Sequence, residues 1–232
     1  IVNGTRIAFS IALVLAFLSL LFIHLFIQEE KKNTDLIPNP IDSLKSMPNE
    51  LRVLLLSDIF IRFAEQIPYA FVVLWVMNIQ NFSAIQFSLL TMVEMLVALL
   101  IYIPVAYLSE TIHHKYLIVI TFIFFSIFPI VLLFSTNYNL LIFAFIIRGL
   151  KEFGEPTRKA LIVRLAPIDH KASTFGTYYL FRDTVVSIVS LSSAYLWLIS
   201  PQVNFITASI LGFIGTSIFI VFGKTEIENK SI

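Results

Sequence analysis

Asp58, Arg62 and Glu65 stand together in a stretch that is otherwise mostly apolar. On a helix, their spacing of four and three residues sets all three on one face, with the arginine between two acids. A second set follows in residues 139–160, where Arg148, Lys151, Glu152, Glu155, Arg158 and Lys159 succeed an apolar half. At 100° per residue, Arg148, Glu152, Glu155 and Lys159 form a single stripe. Glu94 stands alone in a third apolar stretch, and Arg182 with Asp183 in a fourth. These residues suit ion pairing, or the passage of a polar or charged group, rather than bond breaking. There is no Ser/His/Asp set, Gly-rich phosphate loop, HExxH or GxxxxGK[ST] pattern, so no enzyme activity is expected. The absence of cysteine excludes disulfides, thiolate metal sites and cysteine nucleophiles. His113 and His114 read as interfacial side chains rather than ligands; neither a metal nor a cofactor is expected.

The elements that must position these charges are membrane spans. The 232 residues are 58% hydrophobic and only 13% charged, with a mean hydropathy of +0.88, whereas a soluble chain keeps roughly a quarter of its residues charged. Uncharged apolar runs of about 18 residues or more read as spans; Ile7–Ile27, Tyr116–Phe134 and Val203–Phe222 are clear cases. Seven are expected, near 7–27, 52–77, 86–108, 116–134, 139–160, 174–199 and 203–222, which makes the fold an all-α polytopic membrane protein. Counted from Arg52, Arg62 lies roughly 15 Å deep, close to the middle of a ~30 Å hydrocarbon core. An ionised group there costs at least ~2.5–3.5 kcal/mol on insertion scales, so it needs a partner, water or a purpose. Structural pairs such as Asp58–Arg62, Lys151–Glu155 and Arg182 with a neighbouring acid are one reading. The other is a pathway, because four of the expected helices carry charge while three are clean.

Lys and Arg set the orientation. Lys31, Lys32, Lys45, Arg52, Lys115, Arg158, Lys159, Arg164, Lys171, Lys224 and Lys230 fall on one side and Arg6 alone on the other, so the C-terminus and residues 28–51 are expected in the cytoplasm. Trp75 and Trp197 fall near the outer ends of their helices, at headgroup level. A net charge of +1 gives no reason to expect a nucleic-acid partner. Pro38, Asn39 and Pro40 lie in a polar linker and favour extended or turn backbone. The chain opens on Ile1, and Ile7–Ile27 lacks the features of a signal peptide, so the start reads as a cut end.

One helix, a linker and six helices, together with two motifs, resemble the major facilitator superfamily of secondary transporters. The family's loop signature, G-x-L-a-D-R-x-G-R-[RK], is met weakly by Ala106-Tyr107-Leu108-Ser109-Glu110-Thr111-Ile112-His113-His114-Lys115. Glu110 takes the acidic place and Lys115 the last basic one, which implies a gating loop; Ala106, Thr111 and His113 depart from the pattern. The run from Arg148 to Ile162 and the run from Phe175 to Arg182 are similar to a group of bacterial transporters in that superfamily. The resemblance implies twelve helices in two halves. Residues 1–28 would end a first half missing from this chain, 29–50 would be the linker and 51–232 the second half. It implies transport of a small solute across a bacterial cytoplasmic membrane by alternating access about a midplane site. Asp58, Arg62, Glu65, Glu94, Arg148, Glu152, Glu155, Arg182 and Asp183 would line the path, and Glu65 or Asp58 would carry a coupling proton. The lipid bilayer, the solute, protons and the missing half are the implied partners. A membrane scaffold is the alternative, ahead of a seven-helix receptor: Val203–Phe222 has no lysine to hold retinal.

Overall fold

A computed structural model of the chain describes residues 2–26 and 39–225. These fall into two units, divided between Ile37 and Pro38. In the first, α1 (Val2–Phe26) is a single apolar helix with exposed Ile, Leu and Phe side chains along its length. The second is helical throughout: α2 (Pro40–Ser46), α3 (Asn49–Leu74), α4 (Ala84–Thr111), α5 (His114–Phe134), α6 (Tyr138–Leu150), α7 (Glu155–Leu165), α8 (Lys171–Ile199) and α9 (Pro201–Phe222). Among the described residues, five segments are long and apolar enough to span a bilayer: Phe9–Phe26, Asn49–Ile79, Ala84–Thr111, His114–Phe134 and Pro201–Phe222. The span expected at 139–160 is divided between α6 and α7, and the one at 174–199 lies within α8.

Local chemistry sets the helix ends. Ser83 caps α4 through a reciprocal box with Gln86, and Asn137 accepts from the Leu140 amide at 2.9 Å to start α6. Ser200 accepts from Val203, and Pro201 supplies the fixed first turn of α9. Part of the expected linker, 29–38, lies outside the described residues. Pro40 does not block a helix but opens α2, because a missing N–H costs nothing in a first turn. Beyond α3 the chain makes a π-helical turn, Trp75–Ile79, and Asn81 adopts φ 59°, a left-handed conformation that asparagine tolerates.

Within the second unit α3 packs on α9 and α8, α5 on α9, and α4 on α6. Three apolar clusters result among the described residues: a layer at each end, and a third cluster of Phe63, Ile67, Val186 and Ala208 between α3, α8 and α9. Leu51, Leu54, Ile118, Phe122, Leu161 and Phe219 close the end where α3 begins, and Val72, Val76, Leu132, Leu141, Phe145 and Phe205 close the opposite end. Arg62 and Glu65 lie between the layers, about 20 Å along a span about 46 Å long. The α4–α6 contact depends on Gly149: an added Cβ would lie 2.6 Å from the Glu94 carbonyl oxygen and 2.7 Å from Val97 Cβ. Helices in lipid associate through close packing, and a residue without a side chain permits this approach.

Gly149→Ala must force α4 away from α6 and is expected to cost about 1–3 kcal/mol. At Gly176, where an added Cβ meets nothing within 4 Å, alanine is expected to be neutral or to stabilise by up to about 1 kcal/mol. Thermal unfolding followed by tryptophan fluorescence measures both.

Candidate functional site

Between the two apolar layers ten of the described charges join into one chain of ion pairs. Arg148 Nε lies 3.2 Å from Glu94 Oε1, which also lies 3.7 Å from Lys151 Nζ. Lys151 Nζ donates to Glu65 Oε1 at 2.7 Å, and Arg62 Nη1 donates to Glu65 Oε2 at 2.6 Å. Arg62 Nη2 donates to Glu155 Oε1 at 2.7 Å, and Arg158 Nη2 to Glu155 Oε2 at 2.7 Å. Arg158 Nη1 donates to Asp58 Oδ2, which also accepts from Arg182 Nη1 at 3.3 Å and from the Tyr178 hydroxyl at 3.0 Å. Arg182 ends the chain by donating from Nε to Asp183 at 2.8 Å. Five acids therefore meet five bases: Asp58, Glu65, Glu94, Glu155 and Asp183 against Arg62, Arg148, Lys151, Arg158 and Arg182.

The sum is electrically neutral, which is what a low-dielectric interior requires. An isolated buried ion costs several kcal/mol, and the remedy is a well-placed counter-charge with its remaining hydrogen bonds satisfied. Burial is deepest at Asp58 (0% exposed) and Arg158 (1%). The loosest join is internal to α3, where Arg62 Nε and Asp58 Oδ1 are 3.8 Å apart and neither atom has a hydrogen-bond partner.

Helix α5 contributes no charge to the chain, yet it lies against it. Phe125 presents its ring to Arg62 (5.2 Å to the centroid) and to Lys151 (5.7 Å), and Phe128 to Arg148 (5.3 Å). Arg148 also lies over Phe145, and Arg182 lies 4.1 Å over Tyr179. An aromatic face attracts a cation without bringing a second ion into the bilayer. The apolar helices thus assist the charges they flank.

The break between α6 and α7 decides which residues reach the chain. Residues 151–154 turn through Glu152 N to Gly149 O (3.2 Å) and Phe153 N to Leu150 O (3.0 Å), and α7 restarts with Pro156 in its first turn. The Gly154 amide donates to Thr121 Oγ1 of α5, which anchors the break. A continuous helix would put Arg148, Glu152, Glu155 and Lys159 on one stripe. The turn changes the register, so that Arg158 faces inward beside Glu155 while Lys159 is exposed. Lys151 pairs with Glu65 and Glu94 rather than with Glu155.

Of the residues expected to line a path, Asp58, Arg62, Glu65, Glu94, Arg148, Glu155, Arg182 and Asp183 come together. Glu152 does not join them: it makes no ion pair among the described residues, where its carboxylate accepts from the Tyr102 hydroxyl, at 3.4 Å. Lys151, Arg158 and Tyr178 belong to the chain, and helix periodicity alone does not place them there. In the loop expected to gate, Lys115 Nζ donates to the Ile220 carbonyl at 2.8 Å, tying α5 to the end of α9. Glu110 is exposed and makes no ion pair among the described residues. Those residues hold no cluster of three or more His, Cys, Asp or Glu side chains that could bind a metal ion.

Residues 54–231 match the family model of the Major Facilitator Superfamily. The chain is also similar to an uncharacterized MFS-type transporter of Methanocaldococcus jannaschii, at 26% identity over 218 residues. That match covers 88% of this chain and 52% of the relative, so the chain spans about half the length of the curated relative it matches. No solved structure matches significantly.

The register shift makes a specific prediction. Arg158→Met removes the nearest counter-charge of buried Asp58, leaving it Arg182 and Tyr178, and takes one of two bases from Glu155; it is expected to cost about 3–5 kcal/mol. Lys159→Met, one residue away on the exposed side, should change stability by no more than about 0.5 kcal/mol. Equal effects in thermal unfolding of the two variants would contradict the register described.

Proposed function

The chain belongs to the major facilitator superfamily, and from that premise we propose that residues 51–232 act as one half of a transporter that carries a small solute across the membrane by alternating access. The observation that carries this reading is the unbroken, neutral chain of ion pairs half-way along the spans. Its acids are shared between helices: Glu65 of α3 serves Arg62 of α3 and Lys151 of the α6–α7 turn, and Glu155 of α7 serves Arg62 and Arg158. Small movements of α6–α7 against α3 can therefore exchange partners without leaving a bare charge. Such bistable contacts are what a rocking movement needs. The opposing surface is supplied by a second six-helix half, as the family's architecture implies.

Proton coupling fits the same geometry. Glu65 has two cationic partners on separate elements, and withdrawal of Lys151 leaves a carboxylate that can take up a proton. Asp58, with Arg158, Arg182 and Tyr178 around it, is held by three donors and is the less mobile acid. The membrane is read as a bacterial cytoplasmic membrane. Lys45, Arg52, Lys115, Lys159, Arg164, Lys171 and Lys224 all lie toward the end where α3, α5 and α8 begin, and the loops at the opposite end carry no charge, which supports a cytoplasmic C-terminus.

The natural absence of cysteine makes the test direct. Ala98 borders the cleft between α4 and α6 at the level of the charges. In right-side-out and inverted vesicles, Ala98→Cys is expected to react with a membrane-impermeant maleimide from both faces; labelling from one face only would favour a static scaffold. The ratio of labelling from the two faces should shift between acidic and alkaline buffer, and Glu65→Gln should abolish that shift. A shift that persists in Glu65→Gln would remove Glu65 from the coupling role.

A further inference from the structure

Glu152 is the charge that the ion-pair chain does not absorb. It faces a cleft of about 400 Å3 between α4 and the α6–α7 turn, walled by Met95, Ala98, Leu99 and Tyr102. Arg148 and Lys151 border the same cleft, but each is already matched, Arg148 by Glu94 and Lys151 by Glu65 and Glu94. The bordering ion pairs thus offer a ligand little net charge, whereas Glu152 offers a carboxylate whose one described hydrogen-bond partner is the Tyr102 hydroxyl. We propose that this cleft is the binding site for a monovalent organic cation with an apolar body, and that Glu152 is its counter-ion. The inference rests on the transporter reading above and adds the substrate class.

Size, charge and wall chemistry each point that way. The volume falls in the range of small-molecule sites and far exceeds what a proton or a metal ion needs. Met95 is 57% exposed and Leu99 65%, so the wall is apolar and unfilled, and the thioether of Met95 adapts to ligands of irregular shape. The Tyr102 ring, 44% exposed, offers a face to a cation while its hydroxyl holds the carboxylate that neutralises it. An anion would meet Glu152 with no unmatched base to offset it. A neutral solute would leave Glu152 without a counter-ion in an apolar setting, a costly arrangement at mid-membrane.

Equilibrium binding of radiolabelled tetraphenylphosphonium to the purified protein in nanodiscs tests the assignment, with tetraphenylborate as the anion of matching shape. Saturable binding of the cation and none of the anion is expected. Affinity for the cation should fall roughly tenfold or more in Glu152→Gln, the loss of one charge-assisted contact, and largely survive in Glu152→Asp. Glu152 lies outside the ion-pair chain, so the variants should unfold at the temperature of the unmodified protein, which confirms that lost binding is not lost structure. No saturable binding by the unmodified protein, equal binding of the anion, or undiminished binding by Glu152→Gln would each overturn the proposal. Any of these outcomes leaves two-sided labelling of Ala98→Cys untouched, so failure of the substrate class is distinguishable from failure of the transport reading.

Discussion

An ion at the middle of an apolar span has no water to hold it, so its counter-charge must come from another part of the chain. That requirement organises the helices from α3 to α9. Asp58 and Arg158 are essentially fully buried, and they are tolerated because each meets the other and further partners. For Arg158 to reach Asp58, the helix expected at 139–160 must break and change register. The break is held by the bond from the Gly154 amide to Thr121 and by Pro156 opening the next helix. For Arg148 and Lys151 to reach Glu94, α4 must lie close against α6, which Gly149 permits. The charges thus account for the α4–α6 approach and for the break between α6 and α7, and α5 lies against the ions with aromatic faces instead of charges.

A buried ionic network is a poor way to gain stability, since well-packed apolar residues of the same volume serve as well or better. Ten ionised side chains along one path therefore call for more than cohesion to explain them. Shared acids offer such a reason. A carboxylate bridging two bases can loosen from one without becoming bare, so the helices that hold them can shift between arrangements at modest cost. The long Arg62–Asp58 join, with both facing atoms unpartnered, shows that even within α3 the pairing is not saturated. On the proposed transporter reading, this is the property expected of a half that moves against its counterpart.

Much of this was legible in the residues. Apolar runs mark the spans, and the 58–62–65 spacing marks a charged face, because both follow from fixed helical periodicity. That Arg158 rather than Lys159 faces inward was not to be found that way, since extrapolating 100° per residue assumes an unbroken helix. Gly149, Gly154 and Pro156 mark that segment as interrupted, but the angle of the restart depends on Thr121 in another helix. Pairing across helices is equally hidden. That Lys151 meets Glu65 rather than the nearby Glu155 is decided by tertiary packing, and so is the isolation of Glu152.

The central claim is that these ions hold one another, and an exchange of charge across one pair tests it most directly. Thermal unfolding in nanodiscs would compare Glu65→Lys, Lys151→Glu and the double exchange. Mutual neutralisation predicts that each single change lowers the midpoint strongly, by placing three like charges together, and that the double exchange, which restores the 65–151 pair but sets like charges against Arg62 and Glu94, recovers part of the loss. A double variant as unstable as the sum of its parts would show that Glu65 and Lys151 are tolerated in the membrane for reasons independent of each other.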